Sequence, residues 1–203
     1  DRLRSRGLGD VYKRQVVFFN GYYPSLSGTY SVCADNQAGG AELVRHLIER
    51  GHTKIAGFFK SDDIQGHQRY SGFISELFRN GLIIPDENVF WYITETKEEL
   101  FNNPQEVLNR LGDNTAVVCY NDEVAFGLIK CLLSAGRRVP EDVAVVSFDN
   151  SNLSRISPVT ITSLSYEDRN IGRIAAQKLV DILNGREVSS EVLPWTFIQK
   201  ESS

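Results

Sequence analysis

The chain has no methionine, three cysteines and two tryptophans among its 203 residues. The missing methionine leaves no natural initiator, so a fragment or a processed chain is expected. Cys33, Cys119 and Cys131 are odd in number and lie in apolar stretches, with no CxxC and no Cys/His spacing. That speaks against a disulfide scaffold and a zinc centre, and a reducing, cytoplasmic compartment is the expected setting. No run of eighteen apolar residues occurs, so no membrane span is expected. The glycine-rich turns that cradle phosphates, GxGxxG and GxxxxGK followed by Ser or Thr, are both missing. His46, His52 and His67 stand at no ligand spacing, so neither a metal nor a cofactor is expected. No Ser/His/Asp order, GxSxG elbow or activated Cys stands out, which argues against an enzyme. Basic residues are also short, with 22 Lys and Arg against 26 Asp and Glu giving a net charge of −4. Gripping nucleic acid needs a basic face, so this chain is not expected to do so by itself.

What is present suffices for a sizeable core: 41% of residues are apolar and 24% charged. The length fits one large α/β domain or two small lobes. Residues 1–15 (DRLRSRGLGDVYKRQ) stand apart, with five basic and two acidic side chains, no periodicity and no apolar h-region. They read as a non-native or disordered leader, with a short basic DNA-binding arm as the alternative. From Val16 onward the pattern is regular. Short apolar runs at 16–19, 30–33, 54–59, 89–93, 116–120, 143–148 and 195–199 predict strands. Helices are expected from the N-cap Asp35 to Gly51, through Phe73 to Asn80-Gly81, and over 98–111, 123–135 and 171–183. Tyr70, Phe73 and Phe78 are expected on one buried helix face. Strands alternating with helices of this length make βαβ units and a parallel sheet, so the fold class is α/β.

In an open parallel sheet, ligands bind beyond the carboxyl ends of the strands. After Phe59 come Lys60, Asp62, Asp63 and Gln65, with Arg69 opening the next helix. After Cys119 come Tyr120, Asn121, Asp122 and Glu123; after Phe148 come Asp149, Asn150 and Asn152; after Leu164 come Tyr166 and Glu167. Carboxylates, amides and an Arg pair with vicinal hydroxyls, which both donate and accept, while aromatic rings cover a sugar's C–H face. The set suits a polyhydroxylated small molecule better than a phosphate. Plainer roles stay open beside this one. Asp35, Asn121 and Asp122 are good helix N-caps, Asp149-Asn150 suits a turn, and Arg69 fits a solvated first turn.

Longer strings narrow the choice. DNQAGGAELVRHLIERGHTKIAGF (35–58), QRYSGF (68–73), CYNDEVAFG (119–127) and RVPEDVAVVSFDNS (138–151) resemble, in order and spacing, the effector-binding core of LacI-type repressors. ITSL (161–164) fits the segment that follows, and the resemblance runs from Val16 to Lys200. Within that family, FFKSDDIQG (58–66) and CYNDE (119–123) resemble the arabinose-responsive members, in which a GntR-type winged helix-turn-helix precedes the core.

The resemblance implies a periplasmic-binding-protein-like fold, two doubly wound parallel-sheet lobes joined by three crossovers with a sugar in the cleft between them. Lobe 1 would comprise residues 16–34 and 167–189, truncated at its N-terminal side, and lobe 2 residues 35–165 and 191–203. Sugar-binding roles are implied for Arg69, Asn121 and Asp149, with Asn20 at a lobe 1 strand end and Tyr166 at a crossing. Lys60, Asp62, Gln65 and Tyr120 join them through the arabinose-type loops. The implied function is a transcriptional repressor core that senses a pentose, L-arabinose first, and releases operator DNA through an N-terminal domain outside this chain. Its partners would be the sugar, operator DNA and a second copy of the chain in a homodimer. A periplasmic sugar-binding protein feeding a transporter is the expectation from another class, and an α/β enzyme acting on sugars a third.

Overall fold

A computed structural model describes residues 16–23, 25–166 and 170–203. The expected leader, residues 1–15, and the Glu167 end of the expected second crossing lie outside the described residues. In chain order the first elements are β1 (Val17–Phe19), β2 (Tyr30–Ala34), α1 (Asn36–Glu49), β3 (Ile55–Lys60), α2 (Ile64–Arg79) and β4 (Val89–Tyr92). They are followed by α3 (Pro104–Leu111), β5 (Ala116–Cys119), α4 (Asp122–Ser134), β6 (Ala144–Phe148), α5 (Asn152–Ile156) and β7 (Thr162–Ser165). Last come α6 (Ile171–Leu183), β8 (Glu191–Leu193) and β9 (Thr196–Ile198). These divide into two compact units, residues 16–34 with 170–193 and residues 35–166 with 194–203.

The smaller unit is a parallel sheet in the order β1-β2-β8, with α6 packed on β1 and β2 through a face that buries Ile171 and Ala175. Residues 191–193 were expected in the larger lobe. They pair instead with Val32–Ala34, and the passage between units falls at Pro194, whose missing N–H ends the ladder.

The larger unit carries a six-stranded sheet in the order β4-β3-β5-β6-β7-β9. Its first five strands are parallel, as the alternating pattern predicts, and β9 closes the edge antiparallel to β7. Alternate residues face opposite layers. Ala56 and Phe58 of β3 join a core with Val107 and Leu111 of α3 and Leu128 and Ile129 of α4. Phe59, on the other face, packs on Phe73 of α2 with ring centroids 5.1 Å apart. Helices α1 and α2 come backbone to backbone at two glycines. A Cβ at Gly40 would run into the Arg69 carbonyl, and one at Gly72 into the Gln37 carbonyl, so both positions need glycine.

Two expectations change. The single helix over 98–111 is a 3-10 turn (Thr94–Glu99) followed by α3, because Pro104 can only open a helix and Asn103 caps it by accepting from Glu106 N. Phe78 is 75% exposed, since five residues beyond the buried Phe73 is half a turn off its face.

Candidate functional site

The strand order makes β3 and β5 neighbours whose following helices depart in opposite directions, and this switch point is where doubly wound sheets hold ligands. The ends of β3, β5, β6 and β7 supply the site. Four local devices set their side chains. Asp63 caps α2 by accepting from Gly66 N at 2.6 Å, and Gly66 itself lies too close to the Lys60 carbonyl to carry a Cβ. Asn121 caps α4, its Oδ1 accepting from Val124 N at 3.1 Å, and Asp35 caps α1 through Ala38 N at 2.9 Å. At the end of β6, Asp149 and Asn150 take φ of 95° and 46°, a left-handed pair that costs on the order of 1–3 kcal/mol per residue and persists only where its surroundings impose it.

Arg69 is the centre. It is 2% exposed, so it is no solvated first-turn residue. Its Nε donates to Asn36 Oδ1 at 3.0 Å, Nη1 to the Tyr120 carbonyl, and Nη2 to Gln65 Oε1 and Asp149 Oδ1, both at 3.3 Å. The guanidinium lies 4.7 Å from the Tyr120 ring centroid, 4.2 Å from that of Phe148 and 5.6 Å from that of Trp195. Burial pushes the Asp149 carboxyl above the ordinary carboxylate range, and the Arg69 charge pulls it partly back. Arg69, Gln65, Tyr120 and Asp149 are thus brought together in direct contact.

A second group adjoins the first. Tyr120 donates its phenolic hydrogen to Asp63 Oδ2 at 2.6 Å, and Lys60 Nζ reaches the same oxygen at 3.1 Å. Burial raises the Tyr120 phenol's pKa, so it stays a donor. Asp62 turns the other way: its Oδ2 accepts from Thr94 Oγ1 at 2.6 Å and Thr94 N at 3.0 Å, with Lys60 3.5 Å from its second oxygen. Those two bonds hold the Asp62 carboxyl down at about 2. Tyr166 follows β7, its ring centroid 5.0 Å from that of Trp195. Asn20 ends β1 in the smaller unit with φ 55°.

Three contributors were not anticipated: Asn36, Phe148 as a cation-facing ring, and Trp195, whose Nε1 donates to the Asp35 carbonyl at 3.0 Å. Trp195 had one signal, a tryptophan placed directly after Pro194 in a chain with only two. Asn36 had none beyond its place next to a cap. Chemically, the arrangement is a set of fixed donors and acceptors ringed by aromatic faces, suited to holding a small polar molecule. Among the described residues no group of three or more His, Cys, Asp or Glu could hold a metal ion.

Residues 44–203 match the periplasmic binding protein-like domain family, so the chain belongs to that family. It is 36% identical over 178 residues to the arabinose metabolism transcriptional repressor of Geobacillus stearothermophilus, a match over 85% of this chain and 48% of that one. With the repressor of the same name from Halalkalibacterium halodurans the identity is 34% over 172 residues, 82% of this chain and 45% of the other. In structure it is similar to a complex of the transcriptional regulator CelR with cellobiose, with TM-score 0.83, 30% identity, and coverage of 92% of this chain and 58% of that one. The chain spans about half the length of the curated relatives it matches. Its fold is that of the LacI-family effector-binding domain.

Proposed function

We propose that this chain is the sugar-sensing core of a bacterial LacI-type transcriptional repressor, that its effector is a pentose, and that the pentose is L-arabinose. The observation that carries the reading is Arg69, a fully desolvated guanidinium fixed by four acceptors and aimed at Asp149 at the strand ends. Arg69 and Asp149 bind sugar hydroxyls through charge-assisted hydrogen bonds. Asn121 offers its amide, its oxygen already serving the α4 cap. Tyr120, Tyr166 and Trp195 cover the C–H faces of the ring. Lys60 and Gln65 complete the polar set, and Asp62 acts from one step further out, through Lys60.

The names of the two arabinose repressors support the choice of sugar, and those relatives disfavour both the transporter protein and the enzyme. Sugar binding lowers operator affinity because the sugar prefers one of two conformations, a coupling of typically 1–3 kcal/mol. The DNA is held by an N-terminal domain beyond this chain, of GntR type as in the arabinose-responsive group, and the repressor acts in the cytoplasm as a homodimer.

Trp195 provides the test. In a Trp91→Phe background, adding L-arabinose is expected to give a saturable change in tryptophan emission. No change with L-arabinose, D-xylose, D-ribose or D-galactose would count against a sugar at this site.

A further inference from the structure

Directly beneath the Asp149 turn lies a carboxylate that the proposed ligand set does not use. Asp122 opens α4 and is 1% exposed. A buried carboxylate needs donors on every side. Here Ser147 Oγ and Ser163 Oγ both donate to Oδ1, the latter at 2.7 Å, and the Ser151 backbone N–H donates to Oδ2. Ser147 and Ser163 are register partners on β6 and β7, where fully buried apolar residues would be the simpler choice.

Because the Ser163 hydroxyl hydrogen is committed to Asp122, its oxygen is free to accept, and it accepts from Asn150 N at 3.0 Å. Three successive amides of the turn are therefore held from below: Asp149 N by the Leu164 carbonyl at 2.8 Å, Asn150 N by Ser163, and Ser151 N by Asp122. Two of the three anchors pass through the Asp122 carboxylate, and the two residues with positive φ, Asp149 and Asn150, lie directly ahead of the amide it holds.

We propose that Asp122 is a positioning residue that holds the Asp149–Asn150–Ser151 turn in its left-handed form and so presents Asp149 to Arg69 and to the ligand. The proposal rests on the reading that Asp149 contacts the sugar. Two variants separate its parts. Asp122→Asn keeps size and can still accept from the serine hydroxyls, but sets an amide N–H₂ against the Ser151 N–H. Ser163→Ala removes the acceptor for Asn150 N and leaves the carboxylate in place.

Amide hydrogen exchange reads the turn directly. In Asp122→Asn the Ser151 amide is expected to lose protection, and in Ser163→Ala the Asn150 amide, while Leu128 and Ile129 in α4 stay protected. L-arabinose affinity, by calorimetric titration, is expected to fall about tenfold or more in each. If Asp122→Asn does not fold, Ser163→Ala still tests the second anchor, the Asn150 amide held through the serine that Asp122 orients. Retained protection of Ser151 in Asp122→Asn and of Asn150 in Ser163→Ala overturns the proposal, as does lost protection with unchanged sugar affinity. Should the unsubstituted protein bind no sugar, the functional reading falls, and the exchange pattern still decides whether Asp122 holds the turn.

Discussion

The Arg69 guanidinium is buried among Tyr120, Phe148 and Trp195, and taking that charge out of water has to be compensated by acceptors, ring faces and one counter-ion. Asp149 is that counter-ion. Replacing either Arg69 or Asp149 by Ala removes charge-assisted bonds of roughly 1.5–3 kcal/mol, and L-arabinose affinity is expected to fall about 10- to 150-fold by calorimetry. Acid has a related effect. Asp149 is held above the ordinary carboxylate range by burial, so affinity is expected to decline on acidification before ordinary carboxylates titrate, and Asp149→Asn should flatten that dependence. For folding, the sign is the reverse. A raised carboxyl pKa means the folded state takes up the proton more readily, so this group's contribution to stability falls as pH rises from 3.8 through its raised value. Asp62 behaves oppositely, because the Thr94 bonds hold it at about 2. Its contribution is present above 3.8 and lost as pH falls through about 2. Thr94→Val is expected to return the Asp62 titration, followed by carboxyl NMR, toward its ordinary value.

The crossing of α1 and α2 carries Arg69 into place, and it depends on two missing side chains. Gly72→Ala would gain helix propensity of roughly 1 kcal/mol, yet its Cβ meets a backbone carbonyl that no rotamer change can move. A net loss of about 1–3 kcal/mol is expected in chemical denaturation, with weakened sugar binding because α2 shifts. Most elements were legible because their signals are local. Asp35, Asn121 and the glycine after α1 punctuate helices, and apolar runs such as Val143–Phe148 mark buried strands. The strand-end rule likewise found Arg69, Tyr120 and Asp149, since it needs only the order of strands and helices. The misses were non-local. β8 has three residues and gains its place only by pairing with β2, 159 positions away, so nothing in its own composition marks it. Asn36 and Trp195 join the site through contacts 33 and 160 residues apart, which periodicity does not report. At Pro104 the signal was present and outweighed by the apolar spacing around it.

At the scale of the molecule, the family is established by a match across residues 44–203, while the remainder of the relatives' length, about half, lies outside this chain. With a net charge of −4, this chain by itself is expected to leave duplex DNA unshifted in electrophoresis at physiological salt. Calorimetric titration of L-arabinose into the protein, beside D-xylose, D-ribose and D-galactose, tests the proposed sugar sensing most directly. Saturable binding of L-arabinose that disappears or weakens sharply in Asp149→Ala is the expected result. Binding of none of the four sugars, or binding by Asp149→Ala equal to that of the unsubstituted protein, would contradict it.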